Sequence, residues 1–250
     1  MSDSPPTEKP SAGRVAGMWA KEIAIVVVGA LVASTLLRLF VAQMFVIPSG
    51  SMENTLLIRD RVMVQKVVGW SRGDIVVFRD TQGWLADPEE ETDPLRKALI
   101  FIGLAPDESS NHLIKRVIGL PGDHVKCCDA AGRITVNGQA LDERDYLYAS
   151  GGETVAPSAM PFDVVVPKDR IWVMGDHRDN SQDSRCHLDL GTEGMGAFVP
   201  TADVVGSAVA IVFPFDRWRG LSRPDTFAHV PAPSAPAPDR PVITGPVPVC

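Results

Sequence analysis

The sequence predicts a mainly β protein: an antiparallel β-sandwich or barrel-like domain, preceded by one N-terminal transmembrane helix. Three features of the chain predict this class. A long apolar run lies near the N-terminus, short apolar runs broken by turn residues follow, and a proline-rich stretch comes last. With 250 residues the chain can bury one good core, so we expect one folded domain between two flanking segments.

The N-terminal region divides into a tail and an apolar segment. Residues 1–21 are rich in Ser, Pro and small residues, which is typical of a disordered tail. Residues 22–47 are predicted to form one helix, whose apolar run, residues 23–47, is interrupted by Arg38. As a helix this run would measure about 37 Å and could cross a bilayer. A cleaved signal peptide is the alternative, but Leu31 stands where an A-x-A site ending at Ala33 needs a small residue. We therefore favour an uncleaved signal-anchor helix.

Residues 48–228 carry the pattern of a β domain. Short apolar runs recur between turn residues, and Asn137-Gly138 is a strong hairpin turn. The predicted strands lie at 61–68, 75–78, 113–119, 124–126, 133–136, 162–166, 170–174 and 204–212. Residues 83–111 do not fit this pattern and are predicted to be an insertion, which either lies against the membrane surface or packs on the core.

The C-terminal stretch, residues 229–250, is dense in proline, which predicts an extended, unpacked and flexible tail. It ends in one of the four cysteines, Cys250, which we expect to be a free thiol. Cys127 and Cys128 are neighbours on a predicted strand, so their side chains should point to opposite faces and only one could pair with Cys186. A zinc site is less favoured because paired C-x-x-C spacing is lacking; its ligands would be His124, Cys128, Cys186 and His187.

The charge of the chain bears on its partners. The formal net charge of -7 gives no general attraction to phosphate backbones. We therefore expect no nucleic-acid partner.

A candidate nucleophile, Ser51, lies in the stretch Pro48-Ser49-Gly50-Ser51-Met52, just where the apolar segment ends. A serine hydroxyl needs a neighbouring base, and the candidates are His112, His177 and Lys115. A lysine can act as a base near neutral pH only if burial lowers its pKa, which is about 10.4 in water. On a strand, Lys115 shares one face with Leu113 and Val117, which favours the neutral amine. The alternative is a lysine whose stem packs while its ammonium reaches water.

Four motifs occur in one order along the chain. They are Pro48-Ser49-Gly50-Ser51-Met52, Arg72-Gly73-Asp74-Ile75-Val76-Val77-Phe78, Lys115-Arg116-Val117-Ile118-Gly119-Leu120-Pro121-Gly122-Asp123, and Gly175-Asp176-His177-Arg178-Asp179-Asn180-Ser181-Gln182-Asp183-Ser184-Arg185. In these motifs and their order the chain resembles the bacterial type I signal peptidases. The resemblance implies the signal peptidase type of antiparallel β fold. The chain departs from the common pattern of that family at His177, where the family often has Asn, and at Asn54, where the family often has Pro.

The resemblance assigns roles to individual residues. It implies that Ser51 is the acylating nucleophile and Lys115 the general base, and that Ser49 and the backbone N–H of Ser51 form the oxyanion hole. Ser181 matches a serine that orients the lysine. The supporting ion-pair residues are Asp176, Arg116, Asp183 and Arg185, and the candidates for lining the substrate pockets are Met52 and Ile114. The family mechanism uses neither a cofactor nor a metal.

The implied function is that of a membrane-bound serine endopeptidase, which cleaves signal peptides from exported preproteins after small residues of the A-x-A type. Its partners would be those signal peptides and the lipid bilayer, close to the protein-export machinery. Basic residues flank the apolar segment on both sides, so only the resemblance orients it, with the N-terminus cytoplasmic and the catalytic domain extracytoplasmic. Two alternatives are a LexA-like self-cleaving Ser/Lys regulator and a catalytically silent, membrane-tethered, peptide-binding β module.

Overall fold

A computed structural model describes residues 12–85, 92–95, 111–189, 192–247 and 250. One long helix is followed by fifteen short strands within those residues. They are α1 (Ala12–Phe40), β1 (Ala42–Val46), β2 (Arg61–Gln65), β3 (Ile75–Arg79), β4 (His112–Gly119), β5 (His124–Cys127), β6 (Ile134–Val136), β7 (Gln139–Ala140), β8 (Ala149–Ser150), β9 (Glu153–Thr154), β10 (Phe162–Val165), β11 (Arg170–Met174), β12 (Val199–Pro200), β13 (Val204–Phe213), β14 (Arg219–Gly220) and β15 (Val242–Ile243). Short 3₁₀ helices lie at Gly50–Met52, Arg178–Asn180, Ser184–His187, Thr192–Ala197, Thr201–Asp203, Phe215–Arg217 and Asp225–His229.

The strands form two main antiparallel sheets. The first sheet has the order β1-β2-β13-β3-β4-β11-β12, with β14 also paired to β13. The second has the order β15-β10-β5-β6-β7, and β8 pairs with β9 as a separate hairpin. The expectation of a mainly β, antiparallel domain after one apolar helix is therefore confirmed.

Strands β3 and β4 lie at the centre of the first sheet and are buried on both faces. Ile75 and Val77 pack into one apolar cluster, whereas Val76 and Phe78 pack into another on the opposite face. A third cluster, with Trp172 buried in it, joins the first sheet to the second. The double burial matters for the site because it removes water from any side chain in the middle of β4.

Helix α1 differs from the predicted anchor at both ends. It begins at Ala12, so part of the stretch expected to be disordered is helical, while residues 1–11 lie outside the described residues. It ends at Phe40, and the apolar residues that follow form β1, which pairs with β2. The Lys66 ammonium donates to the Arg38 carbonyl at 3.0 Å, near the end of the helix. The segment from Met18 to Phe40 is long and apolar enough to cross a membrane by length and composition.

The described part of the proline-rich segment, residues 229–247 and 250, packs against the domain, contrary to the prediction of an unpacked tail. Strand β15 pairs with β10, and Val230 is buried. Proline lacks an N–H but keeps its carbonyl, and the segment uses that acceptor. Pro238 accepts from the Lys168 N–H at 2.7 Å and Pro231 from the Asn137 side chain at 2.9 Å.

The cysteine predictions are wrong. Cys127 pairs with Cys128, and Cys186 pairs with Cys250, so Cys250 is not a free thiol. The argument from alternating faces fails because β5 ends at Cys127 and Cys128 lies beyond it. The zinc site is also overturned, since the sulfurs of Cys128 and Cys186 are both committed to disulfides.

The predicted insertion at 83–111 lies mostly outside the described residues. At its start, Trp84 is buried in the cluster that contains Val76 and Phe78, and its ring stacks on His187 with centroids 4.4 Å apart. The first residues of this segment therefore pack on the core. The proposed contact of the remainder with a membrane surface stays a prediction.

Candidate active site

The candidate nucleophile lies in a tight turn between β1 and β2. Ser49 is extended, and the 3₁₀ helix Gly50–Met52 follows directly. Met52 and Leu56 are fully buried in the apolar cluster beneath the first sheet, which fixes this turn to the core. Ser51 is consequently held at a defined place, with its side chain almost buried.

Lys115 approaches Ser51 from the middle of β4. Its Nζ lies 2.5 Å from Ser51 Oγ, within hydrogen-bonding distance. The side chain is 2% exposed, so the alternative of an ammonium that reaches water is excluded. Leu113 and Val117, which the alternation placed on the same face, both pack in the cluster around Phe78. The sequence argument that this face would be apolar therefore holds.

The environment of Lys115 shifts its protonation towards the neutral amine. Burial lowers the pKa of Lys115 to about 8, because a charge without water is unfavourable. The negative charges of Asp183 and Asp176 oppose that shift, and the positive charge of Arg185 adds to it. An amine with this pKa can both accept a proton and return it near neutral pH.

Ser49 and Ser181 line the same cleft as Ser51 and Lys115. The Ser49 hydroxyl points at Ser51 Oγ, 3.5 Å away. The Ser181 hydroxyl donates to Asp183 at 2.8 Å, and a hydroxyl that donates in this way can still accept from a lysine. Gly175 makes this arrangement possible, since a Cβ there would lie 2.3 Å from Ser181 Oγ and 2.4 Å from the Ser51 carbonyl.

The predicted ion pairs are present and buried. Arg116 donates from two nitrogens to the Asp176 carboxylate, at 2.8 and 2.6 Å. Asp183 accepts from Arg185 through both oxygens at 2.9 Å. Burial opposes the ionisation of Asp183, but the charge and hydrogen bonds of Arg185 outweigh it, and the pKa of Asp183 lies below its ordinary value.

A further buried ion pair was not predicted from the sequence. Arg178 donates to Glu143 at 2.6 Å, with both side chains 1% exposed, and Tyr146 donates its hydroxyl to the same carboxylate at 2.5 Å. Arg178 belongs to the fourth motif, so a buried role for it could have been suspected. No pattern around Glu143 indicates its partner, since 35 residues separate the two.

Ser51 and Lys115 open into a cleft of about 770 Å³. Its lining includes Ser49, Trp84, Leu113, Met160, Ser181 and Cys186. Met52 and Ile114 were predicted to line substrate pockets. In the structure both side chains are buried, in the same core cluster as Ile47. Their contact with substrate stays a prediction.

Among the described residues, no group of three or more His, Cys, Asp or Glu side chains is placed to hold a metal ion.

Comparisons with known proteins agree with the motifs. The chain matches the family described as signal peptidase, peptidase S26, over residues 19–213. It is 36% identical over 222 residues to signal peptidase I of Mycobacterium tuberculosis, covering 79% of this chain and 74% of that protein. It is 30% identical over 208 residues to signal peptidase I P of Bacillus subtilis subsp. natto, covering 80% of this chain and 90% of that protein. A crystal structure of a signal peptidase I from Enterococcus faecalis V583 matches with a TM-score of 0.32 at 24% identity, covering 56% of this chain and 97% of the other.

Proposed function

The chain belongs to the type I signal peptidase family, peptidase S26, and from this membership we propose that it removes signal peptides from exported preproteins as a serine/lysine endopeptidase. The observation that carries the proposal is the 2.5 Å approach of Lys115 Nζ to Ser51 Oγ, with both side chains buried. A nucleophile and a base at this distance are the two groups that acyl transfer requires.

The reaction begins with the neutral amine of Lys115. This amine takes the proton of the Ser51 hydroxyl, and Oγ attacks the scissile carbonyl carbon. The negative charge that develops on the carbonyl oxygen is stabilised by the Ser51 N–H and the Ser49 hydroxyl. The Lys115 ammonium then protonates the leaving amine as the C–N bond breaks. In the second half, Lys115 takes a proton from a water molecule, which attacks the acyl-enzyme ester. As the ester C–O bond breaks, the Lys115 ammonium returns that proton to Ser51 Oγ.

The proposed substrate is an extended peptide with small residues before the cut, as in an A-x-A sequence. Support comes from the cleft, which lies between the serine-bearing turn and β4 and is lined there by Ser49 and Leu113. A peptide in this position can add to the sheet as a further strand, and backbone hydrogen bonds would place its carbonyl against Ser51.

The proposed location is the cell membrane, with one span, a cytoplasmic N-terminus and the catalytic domain outside. The length and hydropathy of Met18–Phe40 support the span. The two disulfides support the placement of the domain outside the cytosol, where disulfides persist. The proposed partners are signal peptides, the bilayer and, by proximity, the export machinery that delivers preproteins.

The two alternatives fit less well. A LexA-like regulator would carry a DNA-binding helix pair ahead of its serine/lysine domain, whereas α1 is a single apolar helix here. A silent peptide-binding module has no need of a buried lysine 2.5 Å from a serine hydroxyl, since burying an amine costs stability. Cleavage by the purified protein would separate the enzyme from the silent module.

We test the proposal with the full chain in detergent and a purified preprotein that carries an A-x-A site. Ser51→Ala and Lys115→Ala should each abolish cleavage, because each removes one reacting group. Ser150→Ala and Lys126→Ala are matched controls with exposed side chains, and they should cleave as the unmodified chain does. Near-normal turnover by Lys115→Ala at neutral pH would show that the proposed base is wrong.

A further inference from the structure

The imidazole of His177 lies beside the nucleophile turn and has no part in the mechanism above. Its Nδ1 is 3.0 Å from Glu53 Oε2, and its Nε2 is 3.2 Å from Asp179 Oδ1. The ring stacks on Tyr148 with centroids 3.7 Å apart and an interplanar angle of 19°. The His177 ring therefore has three contacts, with Glu53, Asp179 and Tyr148.

His177 is connected to the turn that carries Ser51 in two ways, through its ring contact with Glu53 and through its backbone. The backbone N–H of His177 donates to the Ser51 carbonyl at 3.1 Å. The backbone N–H of Glu53 closes the turn by donating to the Gly50 carbonyl at 3.0 Å. The Glu53 side chain folds back over Gly50, so that a Cβ at Gly50 would lie 2.9 Å from Glu53 Cδ. The Glu53 carboxylate therefore covers the centre of the turn and reaches His177 from there.

We propose that Glu53 and His177 form a positioning pair that fixes the Ser49-Gly50-Ser51 backbone in the geometry of the oxyanion hole. This inference rests on the proposed function. Glycine at the centre of the turn leaves its backbone conformationally free, and donors to a developing oxyanion must be held in place before the reaction. A side-chain hydrogen bond between residues 124 positions apart supplies that restraint. Lys115 already occupies the position of the base. His177 is therefore proposed to act through the turn and not on the reacting atoms.

The second carboxylate, Asp179, offers a matched control. Its side chain is 64% exposed, whereas His177 is 13% and Glu53 26% exposed. Solvent weakens a polar contact on the exposed side, so the contact with Asp179 contributes little. The two carboxylates approach the same ring, and only Glu53 belongs to the nucleophile turn.

The experiment measures kcat and KM for preprotein cleavage by the full chain in detergent. His177→Phe keeps a ring against Tyr148 but removes Nδ1, and it should lower kcat about tenfold or more while KM stays within about twofold. His177→Asn places an amide nitrogen near the position of Nδ1, and it should keep kcat within about threefold. Asp179→Asn should leave both constants unchanged. Glu53→Gln removes the charge of the side chain and preserves its shape. It is the second variant in case His177→Phe does not fold, and it should also lower kcat.

The outcomes separate this inference from the proposed function. Cleavage by the unmodified chain that Ser51→Ala abolishes supports the function, whatever the His177 variants do. The positioning role is overturned if His177→Phe or Glu53→Gln keeps full kcat, if KM rises while kcat does not fall, or if His177→Asn is as impaired as His177→Phe. If the unmodified chain cleaves nothing, the proposed function and this inference fail together.

Discussion

At the scale of single residues, the pKa of Lys115 results from two opposing effects. Burial lowers it, and the carboxylates of Asp183 and Asp176 raise it again, so that it reaches about 8. A base with a much lower pKa would be a poor acid for the leaving amine, and one near the ordinary lysine value would be charged. The carboxylates therefore leave the amine able to perform both proton transfers near neutral pH.

This balance predicts the pH dependence of cleavage. At pH 7 about one tenth of Lys115 is neutral, and the neutral fraction rises with pH. We expect kcat/KM to increase about tenfold per pH unit below pH 8 and to level off above it. The measurement is the initial cleavage rate from pH 6 to 10, with circular dichroism at each pH as a control for folding. A flat profile between pH 6 and 9 would rule out Lys115 as the titrating base.

The sequence predicted the proposed nucleophile and base and the ion-pair residues that support them, but not the contact between His177 and Glu53. Ser51 and Lys115 could be predicted because each lies in a motif whose local pattern, a turn or an apolar strand face, indicates its environment. The pairing of His177 with Glu53 could not, since those residues lie 124 positions apart and neither sits in an apolar pattern. Local periodicity reports which face of a strand is buried, and it contains no information on which loops meet across the domain.

At the scale of elements, the same limit explains the errors at α1 and in the proline-rich segment. An unbroken apolar run does not distinguish a helix from a buried strand, and pairing with β2 decides the identity of β1. Proline density indicates an extended chain, and the extended chain here forms β15 at the edge of the second sheet. The eight predicted strands match β2 to β6, β10, β11 and β13, because turn residues bound each of them. Strand β1 and the two-residue strands were not predicted; the latter are β7, β8, β9, β12, β14 and β15.

The loop that carries Arg178 is attached to the rest of the domain by a buried ion pair, which gives an element-scale prediction. Glu143→Ala would leave the Arg178 guanidinium buried without its carboxylate, so we expect the free energy of unfolding to fall by about 3–5 kcal/mol. Denaturant unfolding of the full chain in detergent, followed by tryptophan fluorescence, measures this.

A neighbouring exposed pair is the control for that prediction. Asp142 and Arg144 also form an ion pair, but their side chains are 55% and 81% exposed. Solvent screens such a pair, so Asp142→Ala should leave the unfolding midpoint unchanged. If the two substitutions lower the free energy of unfolding equally, burial of the Arg178–Glu143 pair does not add to the stability of the loop.

At the scale of the whole molecule, the C-terminal segment joins the second sheet to the rim of the cleft. Strand β15 pairs with β10, and further along the chain Cys250 is bonded to Cys186, which lines the cleft with Ser181. The predicted boundary at residue 228 therefore does not separate a folded domain from a free tail. The segment is part of the domain, and its last described residue is covalently attached beside the site.

The two disulfides should differ in their effect on stability because they close loops of different length. Cys186–Cys250 joins residues 64 positions apart, whereas Cys127–Cys128 joins neighbours. A crosslink restricts the unfolded chain more when it closes a longer loop, so replacing Cys186 and Cys250 by Ser should lower the free energy of unfolding by about 2–4 kcal/mol. The same change at Cys127 and Cys128 should have a smaller effect. Thermal unfolding of both double variants, measured on the full chain in detergent, tests this, and equal losses of stability would show that the long crosslink does not hold the C-terminal segment on the domain.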